Sequence, residues 1–107
     1  MVKVYIASPY TIGDVAVNVK KQIDVASILM DYGYAPFVPT LAHFQHLMYP
    51  RPYQDWLRCD VEWVKCCNAL LRLPGTSKGA DAEVAVAMDN GLPVFYSIMD
   101  LVDALPA

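Results

Sequence analysis

Residues 2–7, VKVYIA, are β-rich and alternate little between apolar and polar side chains, which fits a strand buried on both faces. Such a strand needs a layer of helices on each side, and the rest of the chain supplies them in alternation. After the loop SPYTIG, with Asp14 as a helix N-cap, residues 15–32 place Ala16, Val19, Ile23, Ala26 and Met30 on one stripe and Lys20, Lys21 and Asp24 outward. Gly33 ends that helix. A second strand is expected at 34–39, then the loop or irregular segment TLAHFQHLMYPRP, a helix over 53–68, a third strand at 69–73, a helix starting near Ser77 to Gly79, a fourth strand at 93–96 and a closing helical turn at 99–105. Strands alternating with helices imply right-handed crossovers and a parallel sheet. The expected fold is α/β, a three-layer sandwich with a four- or five-stranded parallel sheet of flavodoxin- or Rossmann-like type, forming one domain over residues 1–107.

Composition narrows the partners. The chain is 56% hydrophobic, with a formal charge of −3, so it holds more apolar surface than a small monomer needs and little to attract a phosphate backbone or an anionic membrane. A homo-oligomer acting on a small molecule is expected, with neither a nucleic-acid polymer nor a membrane as partner. No apolar run approaches a bilayer-spanning length and the amino terminus reads directly as a strand, so the expected setting is the cytoplasm. Cys59, Cys66 and Cys67 are an odd set without CxxC spacing, expected as reduced and mostly buried thiols. His43 and His46 lack a third ligand at useful spacing, and no metal or cofactor is expected.

Two acids sit where packing alone would not put them. In the helix after the Pro-Gly-Thr-Ser loop, the apolar stripe reads Ala80, Val84, Ala87, Met88 and Gly91, and Glu83 lies within it, while Asp81 falls about 200° away and faces water. Glu83 is also in the first turns of its helix, where free N–H groups and the dipole favour a carboxylate. In the preceding helix, Asp55, Arg58, Glu62 and Lys65 form a polar face and Trp56, Asp60, Trp63, Val64 and Cys67 the opposite one. Burying Asp60 unpaired is costly or raises its pKa. Each acid has a plainer reading: Glu83 bends to the surface, and Asp60 is satisfied by a loop N–H or by Arg51. If both point inward they share a cleft, and a carboxylate pair with separated pKa values suits glycosidic-bond cleavage through an oxocarbenium-like transition state.

The opening VYIASPY, the inward acid of the middle helix and the segment SKGADAEVAVAMDNGLPV together resemble the nucleoside 2-deoxyribosyltransferase-like superfamily, including its small 2'-deoxynucleoside 5'-phosphate N-hydrolase branch. The resemblance implies Glu83 as the nucleophile at C1' of the deoxyribose, Asp60 as the group that protonates or orients the departing base, and Tyr5 as a hydrogen-bond partner of the nucleophile. It implies Ser77 as a contact to a 5'-phosphate, with Ser8 and Gly79 adding hydroxyl and backbone N–H contacts. Tyr10, Phe44, Tyr49 and Tyr53 are candidates for the walls of a base pocket. The first loop reads SPYTIG where the hydrolases carry a Gly- and Arg-containing stretch, which leaves Lys78 or Arg51 to supply the cation.

Other α/β classes fit less well. A receiver domain needs acids after strands one and three, where this chain has Ser8-Pro9 and Leu73-Pro74; there is no GxxxxGK[ST] and no GxGxxG after strand one. The remaining rival is a nucleotide-binding or regulatory module of the same fold that does not turn over.

Overall fold

The computed structural model describes residues 1–107 and contains four strands and five α-helices: β1 (Lys3–Ala7), α1 (Val15–Asp31), β2 (Ala35–Phe37), α2 (His43–Met48), α3 (Tyr53–Cys66), β3 (Ala69–Arg72), α4 (Lys78–Asp89), β4 (Val94–Phe95) and α5 (Ile98–Ala104). The strands form one parallel sheet in the order β2-β1-β3-β4. β1 lies at its centre, pairing Tyr5 with Phe37 on one side and with Leu70 on the other.

The pleat of β1 divides the core. Val4 and Ile6 pack with Ala26, Leu29, Leu71 and Leu101 under α1 and α5, whereas Tyr5 and Ala7 face Val64, Leu70, Ala80 and Ala87 under α3 and α4. β1 and β3 are buried throughout except for Lys3, as expected of central parallel strands. The chain order reverses between β1 and β3, so the carboxyl ends of these two strands border the crevice where open α/β sheets bind ligands.

Local caps set the helix ends. Asp14 accepts from the Val17 N–H at 3.1 Å, Ser77 from Ala80 N–H at 3.1 Å, and Ser97 from Asp100 N–H at 3.1 Å. Gly33 ends α1 with φ near +93°, a left-handed backbone that favours glycine.

Several expected faces differ. On α1 the buried column is Val19, Gln22, Ala26 and Leu29, while Ala16, Ile23 and Met30 face solvent. The helix carries apolar residues on two adjacent columns, and the buried one contains Gln22, whose amide is fully bonded: Nε2 donates to Ile6 C=O at 2.7 Å and to Ser8 Oγ at 2.8 Å, while Oε1 accepts from the Thr40 N–H and hydroxyl. Segment 40–52 is irregular only over residues 49–52. A 3-10 turn at Pro39–Ala42 leads into α2, whose Phe44, Leu47 and Met48 are exposed, so no buried periodicity marked it as helical. Met88 and Gly91 lie outside the buried face of α4, and Trp63 is half exposed although it stacks on Phe37 at a centroid distance of 5.2 Å. Cys59 and Cys66 are exposed and Cys67 is half-buried, because α3 turns only a narrow face inward and the first two thiols lie off it. No helix is long and apolar enough to cross a membrane.

Candidate active site

A cavity of about 590 Å³ opens at the reversal point, between the loop after β1, the α2 segment, α3 and the start of α4. Ser8, Tyr10, Asp60, Ser77, Gly79 and Glu83 all line it. Tyr5 does not. It is fully buried behind Glu83, and its hydroxyl donates to Glu83 Oε2, so it holds that carboxylate from the core side. Phe44 and Tyr49 are also absent from the walls and lie exposed on or beside α2; the aromatic lining comes from Tyr10, Tyr53 and Trp56.

Glu83 is buried on α4, at 6% exposure, yet borders the cavity. Burial pushes its carboxyl up to about 8; the Tyr5 hydroxyl and Arg72 oppose this, while Asp60 adds to it. Asp60 makes neither an ion pair nor a hydrogen bond, since Arg51 turns instead to Asp55, 3.8 Å away. Burial raises Asp60 to about 6. Tyr5 is raised well beyond its ordinary value, by burial first and then by Glu83 and Asp60, and therefore stays a donor.

The loop after β3 is fixed by a side chain the sequence did not single out. Arg72, buried at the end of β3, donates to the carbonyls of Leu73 and Gly75 and pairs with the exposed Asp81 at 3.0 Å, tying the β3–α4 loop to α4. In that loop Gly75 has φ near +118°, and a Cβ there would lie 2.8 Å from Pro9 Cγ, so the loops after β1 and β3 meet at a glycine. Across the mouth, Tyr10 Oη is hydrogen-bonded to His43 Nδ1. Trp56 Nε1–H donates to His46 Nδ1 at 2.9 Å, so that nitrogen is an acceptor and Nε2 is left for another partner. The i, i+3 spacing of the two histidines was the available signal, but it points equally to a metal pair. No group of three or more His, Cys, Asp or Glu side chains is placed to hold a metal ion.

Lys78 and Arg51 both border the cavity, so cations are present although the first loop has none. Ser77 spends its oxygen as acceptor for the α4 cap and retains its hydroxyl proton for a ligand. The hydroxyl of Ser8 similarly accepts from Gln22 and keeps its proton.

Chemically, the site joins a buried carboxylate, oriented from behind by a phenol, to a second unpaired carboxylate across an open cavity. The fold around it is that of a solved 2-deoxyribosyltransferase from the psychrotolerant bacterium Bacillus psychrosaccharolyticus, with a TM-score of 0.62 and 20% sequence identity over 96% of this chain and 82% of that one. That enzyme is described as a biocatalyst for the synthesis of antiviral and antitumoral nucleosides. Residues 2–97 match the family described as Domain of unknown function (DUF7768), and the chain belongs to that family. No curated protein matches the sequence.

Proposed function

We propose that the protein cleaves the N-glycosidic bond of a deoxynucleoside or its 5'-monophosphate, by hydrolysis or base exchange, with Glu83 as nucleophile. The observation that carries this reading is the Glu83 carboxylate, backed by the Tyr5 hydroxyl and opening into the same cavity as the unpaired Asp60. In the first step a Glu83 oxygen bonds to C1' as the C1'–N bond breaks, and the electron pair leaves on the base while the Asp60 carboxyl supplies its proton. In the second step water attacks C1', loses its proton to Asp60 and frees Glu83. An incoming base in place of water gives a new nucleoside.

Tyr5 positions the nucleophile. The start of α4, with Ser77, Lys78 and the Gly79 N–H, supports a 5'-phosphate by its donors and positive charge, and Arg51 adds a second cation at the mouth. Ser8 and Tyr10 complete the substrate contacts.

The test is incubation with each deoxynucleoside and its 5'-monophosphate, followed by chromatography for free base. Release by the parent is expected to fall by about a thousandfold or more in Glu83→Gln. A parent that binds nucleotide and releases no base is a binding module; release that survives in Glu83→Gln removes the assigned nucleophile. Adding a second base separates transfer, which yields new nucleoside, from hydrolysis.

A further inference from the structure

We infer that the Tyr53 hydroxyl is a substrate-contacting donor for an oxygen on the pentose edge remote from C1', and that position 79 is glycine because this hydroxyl occupies the space of a side chain. The inference rests on the reading of Glu83 above. Tyr53 opens α3, and Asp60 lies seven residues later, about two turns along the same face. Gly79 is in the first turn of α4, four residues before Glu83 and on the same face of that helix. The two helices thus bring Tyr53 to Gly79 and set Asp60 and Glu83 on the walls of the same cavity.

The contact is close. A Cβ at residue 79 would lie 2.4 Å from Tyr53 Oη, a distance that real Cβ atoms do not show, but 3.4 Å from Cζ, the next ring atom. The hydroxyl makes no hydrogen bond to the protein, and Tyr53 is half exposed and lines the cavity, so the group is free to take a ligand as partner. Burial, Glu83 and Asp60 all raise its pKa, so it keeps its proton and acts as a donor.

The substrate oxygen follows from the helix rise. With C1' over Glu83, one turn towards the amino end of α4 is about 5.4 Å, enough to pass beyond the pentose ring and reach the oxygens carried on the side opposite C1'. That edge carries the 3'-hydroxyl and the 5' substituent.

The experiment compares Tyr53→Phe, Gly79→Ala and the double variant on three ligands: a deoxynucleoside 5'-monophosphate, its 3'-deoxy analogue and a 5'-deoxynucleoside. Tyr53→Phe keeps the ring and is expected to lower kcat/KM about 3- to 100-fold on the full nucleotide, the range for one lost hydrogen bond to a neutral or charged oxygen. The loss should vanish on whichever analogue lacks the partner oxygen. Gly79→Ala should reproduce the loss by displacing the ring, and the double variant should be no worse than Tyr53→Phe, because the added methyl then meets only Cζ at ordinary contact.

An equal penalty on all three ligands would make Tyr53 a wall and overturn the inference. A double variant far below Tyr53→Phe would show that the substrate itself needs the glycine, with the same consequence. An active parent unaffected by Tyr53→Phe removes this inference alone; a parent that releases no base from any nucleoside or nucleotide removes the Glu83 reading and this one together.

Discussion

At the scale of single residues, the two carboxyls divide one proton. With Glu83 raised to about 8 and Asp60 to about 6, the site near neutrality carries its proton on Glu83, whereas the proposed attack at C1' requires Glu83 ionised and Asp60 protonated. The productive form is the minor arrangement of the singly protonated pair, and its amount is greatest between the two values. The rate of base release should therefore follow a bell with apparent limbs near pH 6 and pH 8, values that belong to the pair. Asp60→Asn should lower the rate about 10²- to 10⁴-fold and leave a single limb that rises with pH. Tyr5→Phe removes a hydrogen bond that lowers the Glu83 pKa, so its upper limb should move to higher pH. Steady-state rates from pH 5 to 9 check all three, and a descending limb retained in Asp60→Asn would break the assignment of that residue as the proton donor.

At the scale of elements, α1 shows what the sequence conveyed and what it did not. The strand-helix alternation was legible because β1 and β3 are buried on both faces and carry few polar residues, and Glu83 stood out as a charge within a buried stripe. Of the expected α1 stripe Val19 and Ala26 do face the sheet, but the rest of the buried column was not legible, since Ile23 and Met30 look more core-like than Gln22 until the Gln22 partners on β1, Ser8 and Thr40 are known. The α2 segment was hidden for the opposite reason: its apolar side chains point away from the body, so no buried period exists to find. Asp60 illustrates a third case, in which position on the helix was readable but the missing counter-ion was not, because Arg51 had two acids to choose from. Gln22→Leu leaves the Ile6 carbonyl and the Thr40 N–H without this side chain and should lower unfolding free energy by about 2 kcal/mol or more. Ile23→Ala, at 42% exposure, should cost less than about 1 kcal/mol. Urea denaturation of the two variants decides the face: a larger loss for Ile23→Ala would mean that α1 sits in the other register.

At the scale of the whole molecule, the same two acids tie stability to pH. Glu83 has an ordinary value of 4.5 that the fold raises to about 8, so between these pH values the native state holds a proton the unfolded chain has released. Stability then falls as pH rises, because the state binding more protons is favoured at low pH. The contribution is complete below pH 4.5 and is lost once the pH passes about 8. Asp60 adds a decline between its ordinary 3.8 and about 6. The parent should lose a few kcal/mol of unfolding free energy between pH 5 and pH 9, since each tenfold difference in proton affinity between the folded and unfolded chain is worth about 1.4 kcal/mol. Glu83→Gln keeps the size of the side chain, leaves an oxygen to accept from Tyr5 and has no charge to bury, so its stability should be nearly flat from pH 6 to 9 and should exceed that of the parent at pH 9. Urea midpoints at pH 5, 7 and 9 measure this, and a parent midpoint that holds or rises across the range would mean that Glu83 ionises at its ordinary value. A variant more stable than the parent and unable to release base would locate the cost of burying this carboxylate in the reaction it serves.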